Sequence, residues 1–318
     1  MSENFTPPST PRGRLAPSPT GALHLGHAFS FALAWAEQRF LQGHLILRWE
    51  DLDVQRASEK YIQEARDDLQ WLGLDWDEER VQSTRQDRII EEAQHLFFDG
   101  RAYPCVCSRK DLQTMGAPHG GEIRYDGRCK GRFLTWRAAQ DHGPAALRFR
   151  CPDEAVQFED GFFGPQVFHP AEEVGDFPIL RKDGSPAYQL AVVVDDALDG
   201  ITHITRGADL LGSAARQIQL QRALGFSTIQ YRHVPLICNH NGVRLAKRDA
   251  ALSLRSLREA GVRSETIWQW LAELSLGAEL SSLVAKTRLL ESYAKIQFSS
   301  DKICLPQDPL RYFQQKLS

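Results

Sequence analysis

Two imidazoles and a glycine, in the order His24-Leu25-Gly26-His27, stand where a short strand gives way to a helix. Leu15 and Ala16 are the apolar part of that strand, which stops at Pro17. Ser18, Pro19, Thr20 and Gly21 make a tight turn. Ala28, Phe29, Phe31, Ala32, Leu33 and Trp35 then continue as a helix. A helix that opens directly after a strand and turn presents backbone amides, and the positive end of its dipole, to an anion. Two imidazoles on the first turn add hydrogen-bond partners for phosphate oxygens. Gly26, with no Cβ, leaves room for a flat ring such as adenine to lie against the backbone. This is chemistry suited to ATP, with Thr20, His24, Gly26 and His27 as the binding candidates.

Two further patterns carry chemistry. Cys105-Val106-Cys107 and Cys129 are three thiols which, with one more ligand, would complete a tetrahedral structural zinc site. Reduced, unliganded thiols explain the same spacing, and Tyr125 and His119 are the nearby candidates for the fourth position. Arg244-Leu245-Ala246-Lys247-Arg248 follows a turn at Asn241-Gly242; on its own it reads as a basic surface turn.

The elements that must position these groups are legible from periodicity. His44 to Trp49 reads as a buried strand ending in the polar run Glu50-Asp51-Leu52-Asp53. Ser58 can cap a helix whose apolar residues Tyr61, Ile62, Ala65, Leu69 and Leu72 recur at helical spacing, with Gly73 as its stop. Arg85 to Phe98 is a second such helix, ended by Gly100. Strands alternating with helices imply a mostly parallel sheet in a doubly wound α/β domain. Between about Tyr103 and Gly143 the alternation breaks, in a stretch rich in Gly, Arg and Cys that reads as an insertion. Helical patterning resumes over Asp209 to Leu224, His233 to Cys238 is strand-like, and Leu252 to about Ala294 is helical.

Composition bounds the rest. The 318 residues allow one sizeable core plus an appended unit, or two domains, and 42% hydrophobic with 25% charged residues is ordinary for a globular chain. No apolar run approaches the roughly 18 residues of a membrane span. Met1 to Pro11 is polar and proline-rich with no apolar signal core, so a cytoplasmic location is expected, and six cysteines there argue for thiols or a metal rather than a disulfide framework. A net charge of −3 neither supports nor excludes an RNA partner.

The stretch Arg14-Leu-Ala-Pro-Ser-Pro-Thr-Gly-Ala-Leu-His-Leu-Gly-His27 closely resembles the HIGH-motif region of class I aminoacyl-tRNA synthetases, in its glutamyl version. The resemblance extends over about Arg14 to Ala294 and implies a Rossmann-like α/β fold with a zinc-bearing insertion and a C-terminal helical part. On this reading residues 1–13 are a flexible tail, 14–102 and 146–240 are the two halves of the catalytic domain, and 103–145 is the insertion. A KMSKS-like loop and helical junction occupy 241–300, 301–318 is a tail, and no anticodon-binding domain is expected.

An enzyme for glutamate must satisfy two carboxylates and one ammonium, for which arginines and an acidic residue are suited. Arg14, Ser18, Glu50, Tyr188 and Arg206 match the family's amino-acid-binding positions. The resemblance implies that Glu50 and Ser18 face the α-amino end, that Tyr188 and Arg206 reach the side-chain carboxylate, and that Arg14 binds a carboxylate. Val192 departs from the pattern: the run Leu-Ala-Val-Val-Val-Asp-Asp has valine where discriminating glutamyl enzymes carry asparagine, so a polar contact is lost. Asp195 and Asp196 read as structural, or as water and helix-cap partners.

By the same resemblance Arg244 to Arg248 is a degenerate KMSKS loop, with Lys247 at the position that stabilises charge on the leaving pyrophosphate. Cys105, Cys107, Tyr125 and Cys129 match the Cys-x-Cys…Tyr-x-x-x-Cys zinc pattern of short glutamyl-type paralogues, with His119 the rival to Tyr125. Those paralogues activate L-glutamate with ATP and Mg²⁺ without tRNA and load it onto queuosine in the anticodon of tRNA(Asp). The same is expected here, from a monomer. Charging of a tRNA 3′ end, adenylylation of a small phosphate ester and a non-catalytic tRNA-binding role are the alternatives.

Overall fold

A computed structural model describes residues 10–113, 115, 123–245, 252–277 and 281–316. Its centre is a parallel sheet. Strands β1 (Arg12–Leu15), β2 (His44–Trp49) and β3 (Glu78–Val81) pair in that spatial order, all parallel, with Arg14 level with Ile46 and Trp49 level with Val81. The connections are helices: α1 (Leu25–Phe40) between the first two strands and α2 (Glu59–Trp71) between the next, while α3 (Gln86–Phe98), the second helix expected from the sequence, follows β3. Ser58 caps α2 by accepting from the Tyr61 amide, and Gly73 takes the left-handed conformation just past its end, both as the sequence leads one to expect.

On the other side of β1 the chain returns late. The Thr202 amide donates to the Arg12 carbonyl at 2.9 Å, so that β9 (His203–Gly207) runs on beside β1. Strand β10 (Gln230–Val234) is parallel to β9 and to β6 (Val156–Asp160), which carries β7 (Gly164–Phe168) as an antiparallel partner at the edge. Strand order therefore reverses at β1, where an open α/β sheet forms its ligand crevice, at the carboxyl ends of the strands.

The sheet is not parallel throughout, and here the expectation needs correction. Strands β4 (Ala102–Cys105), β5 (Ala146–Phe149) and β8 (Pro178–Leu180) form a separate antiparallel sheet that flanks the insertion. These strands are three or four residues long and carry no alternation, because β4 and β5 are buried on both faces, the Arg148 side chain of β5 included. Within the insertion lie the short helices α4 (Arg109–Gln113) and α5 (Trp136–Gln140), and α6 (Pro170–Glu173) precedes β8. The expected strand His233 to Cys238 is two strands. Pro235 has no amide to continue the ladder, so β10 ends before it and β11 (Leu236–Cys238) starts after it.

Helices α7 (Tyr188–Leu198) and α8 (Leu211–Leu224) cover the second half of the fold. The C-terminal part holds α9 (Leu254–Glu259), α10 (Ser264–Leu276) and α11 (Ser282–Glu291). Residues expected as a tail include β12 (Lys302–Cys304), parallel to β11, and α12 (Pro309–Gln315), whose Phe313 ring is buried edge-on against Trp270. The largest core centres on α1, buried over almost its whole circumference between the sheet and these helices. Trp35 meets Trp268 edge-on at 5.7 Å, and the Trp268 indole donates to the Leu72 carbonyl. A helix apolar on all sides is a core helix, and it fixes its own first turn rigidly. Among the described residues no helix is long and apolar enough to cross a membrane.

Candidate active site

A cavity of about 390 Å³ opens at the carboxyl ends of β1, β2 and β9. Arg14, from β1, and Ser18, from the turn after it, line one wall; Glu50 follows β2, Tyr188 opens α7, and Arg206 lies in β9. All five residues expected to hold the amino acid thus border one space. His24, Gly26 and His27 border it as well, at the start of α1. Thr20, the remaining ATP candidate of that turn, lies elsewhere, on an adjoining cavity of about 350 Å³ that shares Ser18, Glu50 and Tyr188 as a common wall. Val192 is buried on α7 and lines neither cavity.

Burying several arginines under a binding site requires carboxylates close by. Arg48 is fully buried on β2 and binds Asp196 at 2.7 Å, Asp199 at 3.2 Å and Glu50 at 3.5 Å. Arg14 Nε donates to the same Asp196 at 3.3 Å. Asp195 accepts from Gln82 at 2.7 Å, and burial pushes its carboxyl up to about 6 against the pull of Arg48. Asp195 and Asp196 are therefore ion-pair and hydrogen-bond partners beneath the cavity floor, the structural half of the expectation, and not helix caps. Burial raises the Glu50 carboxyl, opposed by Arg48 and Arg14. An ammonium placed against Glu50 would favour its charged form.

Arg206 is held differently. Its Nε donates to His233 Nε2 at 3.0 Å, one terminal nitrogen to Gln217 Oε1 at 2.8 Å and the other to the Leu210 carbonyl at 3.3 Å. His233 in turn meets Asp160 at 2.6 Å through Nδ1. Sequence reasoning missed both: His233 stood only as a strand position and Asp160 not at all. The pairing spans 73 residues, and no local spacing signals it.

The start of α1 differs from the expectation in one respect. Its amides are not all presented to a ligand. His24 is the N-cap: its Nδ1 accepts from the Gly26 amide at 3.1 Å, and His27 Nδ1 accepts from the His24 amide at 3.1 Å. The rings lie 3.9 Å apart. Because each Nδ1 accepts, each neutral ring carries its proton on Nε2 as a donor. Gly26 also serves the cap. A Cβ there would come within 2.9 Å of His24 Cε1, so the missing side chain makes room for the imidazole in this arrangement, where the expectation placed an adenine ring.

Of the basic loop, Arg244 lines the cavity and pairs with Asp209 at 2.8 Å, and Leu245 is buried. Lys247 lies outside the described residues.

The cysteine spacing also converges. Cys105, Cys107 and Cys129 are buried with their sulfurs all within 4.8 Å of one another, and Cys107 and Cys129 are 3.6 Å apart. The Tyr125 hydroxyl lies 3.4 Å from Cys105 and 3.9 Å from Cys107, and accepts from the Cys129 amide. A tetrahedron with Zn–S bonds near 2.3 Å has edges of about 3.8 Å, so the donor set suits zinc. Burial raises the Cys105 thiol, but the Tyr125 hydrogen bond and the Arg148 charge outweigh it and leave it below the ordinary range. Burial and the neighbouring Cys105 push Cys107 up to about 12. Cys107 is thus held as a thiol, and a bound metal would be needed to make it a thiolate ligand. Gly175, at φ +73°, packs against the Tyr125 backbone, where any Cβ would lie 2.4 Å from the Tyr125 carbonyl oxygen. His119 lies outside the described residues. Cys151, Cys238 and Cys304 stand apart from this cluster.

Residues 11–307 match the family model described as tRNA synthetases class I (E and Q), catalytic domain. The structure superposes on a crystal structure of a glutamate tRNA ligase from Elizabethkingia meningosepticum in complex with its amino acid, with a TM-score of 0.80 over 97% of this chain and 70% of the other, at 23% identity. The chain belongs to the class I tRNA synthetases of the E and Q type, and it is a ligase of that class. More particularly, it is 45% identical over 83% of its length to a protein of Nitratidesulfovibrio vulgaris named Glutamyl-Q tRNA(Asp) synthetase, covering 86% of that protein. A Symbiobacterium thermophilum protein of the same name is 42% identical, with 94% and 95% of the two chains covered. The Glutamate--tRNA ligase of Aquifex aeolicus is 39% identical, and the match covers 56% of its length.

Proposed function

We propose that this chain activates L-glutamate with ATP, without tRNA, and transfers the glutamyl group to the queuosine base at the first anticodon position of tRNA(Asp). The observation that carries the reading is the single cavity at the strand-order reversal. There Arg14, Ser18, Glu50, Tyr188 and Arg206 converge beside His24 and His27. The relatives named for the same reaction, matched over most of both chains, support the acceptor.

In the first step an oxygen of the glutamate α-carboxylate attacks the α-phosphorus of ATP. The bond to the bridging oxygen breaks, pyrophosphate leaves, and glutamyl-adenylate remains. The protein's work is positioning and charge stabilisation. Glu50 and Ser18 hold the ammonium, and Arg206 and Tyr188 the side-chain carboxylate. Arg14 takes a carboxylate, and His24 and His27 donate through Nε2 to phosphate oxygens. Lys247 supplies a cation to the departing pyrophosphate, and Mg²⁺ arriving with ATP neutralises phosphate charge. In the second step a hydroxyl oxygen of the acceptor attacks the adenylate carbonyl carbon. AMP leaves with the electron pair of the broken bond, and the hydroxyl proton is released. Cys105, Cys107, Tyr125 and Cys129 hold a structural zinc that orders the insertion 103–145, apart from the chemistry.

The test offers labelled glutamate and ATP to tRNA(Asp) with and without queuosine. Label in the anticodon fragment of the queuosine-containing tRNA alone is the expected result. Label at the 3′ end would replace this reading with 3′-end charging.

A further inference from the structure

The three buried arginines near the cavity differ in how their charge is met. Arg14 and Arg48 face Asp196 directly. Among the described residues Arg206 has no carboxylate bonded to it; its partners are a neutral imidazole, an amide oxygen and a backbone carbonyl. The carboxylate that belongs to this group, Asp160, stands one ring further back. It is pinned by the amides of Phe162, Phe163 and His233, and with His233 it is wholly buried. Because Asp160 accepts the Nδ1 proton, His233 Nε2 can only accept, which fixes the rotation of the guanidinium about its Nε–H. Three of the five guanidinium protons are thereby spent, and two remain on the terminal nitrogens, the number a carboxylate takes.

We infer that Asp160 and His233 are positioning residues that aim Arg206 and reserve its charge for the side-chain carboxylate of the bound amino acid, and so select glutamate over glutamine. The inference rests on the reading of Arg206 as a glutamate ligand. A carboxylate in direct contact would fix Arg206 as well, but would cancel the charge that separates an acid from its amide. An imidazole supplies the geometry and leaves the charge. Burial keeps the ring neutral, pulling it down to about 4 despite Asp160.

The test is ATP–pyrophosphate exchange on the full chain, with glutamate and glutamine titrated separately. His233→Gln keeps an acceptor, His233→Leu removes it, and Asp160→Asn removes the carboxylate while keeping much of the geometry. The Leu variant is expected to raise KM for glutamate about tenfold, the scale of a lost hydrogen bond to a charged group, with KM for ATP unchanged and a smaller effect on kcat. The Gln variant should recover most of this. Asp160→Asn should narrow the preference for glutamate over glutamine. Equal KM values for glutamate in the Gln and Leu variants, both folded as judged by circular dichroism, would overturn the inference. If the Leu variant does not fold, an unchanged glutamate-to-glutamine preference in Asp160→Asn overturns it. Arg206→Lys separates the two levels. If glutamate KM is unmoved by it, the reading of Arg206 as a ligand fails; if Arg206→Lys is impaired and the His233 and Asp160 variants are not, only the positioning role fails.

Discussion

Glu50 is half-buried at the cavity wall with the Arg48 guanidinium at 3.5 Å, and its carboxylate suits an ammonium; Asp209, the other carboxylate that lines the cavity among the described residues, is paired with Arg244. Replacing Glu50 by glutamine keeps the shape and removes the charge. Glu50→Gln should raise KM for glutamate roughly 10- to 100-fold in pyrophosphate exchange and leave KM for ATP near its starting value. Equal increases in both would mean a general loss of the cavity. Gly26 offers a test of the opposite corner. Gly26→Ala places a methyl 2.9 Å from the His24 ring, and the ring must leave its cap. The expected cost is about 1 kcal/mol of stability and a rise of about fivefold in KM for ATP, read by thermal unfolding and exchange kinetics. At this scale the five candidate glutamate ligands were legible through the family resemblance; taken singly, an arginine, serine, glutamate or tyrosine at a strand end says little. Asp160, His233 and Asp199 were not, because a buried pairing between residues far apart in the chain leaves no periodic trace.

At the scale of elements, two regions make separate predictions. The insertion has little apolar periodicity and brings four side chains, Cys105, Cys107, Tyr125 and Cys129, together. Cys107→Ser should lower zinc content, measured by metal analysis of the purified protein, and lower the unfolding temperature by several degrees. The proposed glutamate ligands lie on other elements, so KM for glutamate should change little. Full zinc content in this variant would remove Cys107 from the set. The second region is the contact between α2 and α9. Asp68 is buried on α2, with Arg258 of α9 at 3.5 Å. Burial pushes its carboxyl from 3.8 up to about 7 against the opposing charge of Arg258. The folded chain therefore holds a proton that the unfolded chain releases across that window, so Asp68 makes stability fall as pH rises from 3.8 to about 7. Asp68→Asn should flatten this decline by at most about 1.4 kcal/mol per pH unit, measured by urea unfolding across the range. An unchanged slope would mean that Asp68 titrates normally.

For the whole molecule, β1, β2 and the helices up to Gly100 were read from the sequence because α1 follows a tight turn, α2 opens on a serine cap, and α2 and α3 carry apolar stripes that end in a glycine; β3, four half-buried residues of which three are charged, was not. The antiparallel sheet of β4, β5 and β8 escaped because strands of three or four residues, buried at most positions, show no alternation, and the break at Pro235 shows how one missing amide divides an apolar run. The fold sets two walls of side chains around a common space at the strand-order reversal, one suited to a dicarboxylic amino acid and one to a nucleotide. On the proposed reading the two walls suffice to join their ligands before any RNA is bound. The direct measurement is glutamate-dependent exchange of labelled pyrophosphate into ATP in the absence of any tRNA. The account predicts robust exchange with glutamate, little with glutamine, and loss of exchange in Arg206→Lys. Exchange that appears only when tRNA is added, or that proceeds without glutamate, would contradict it.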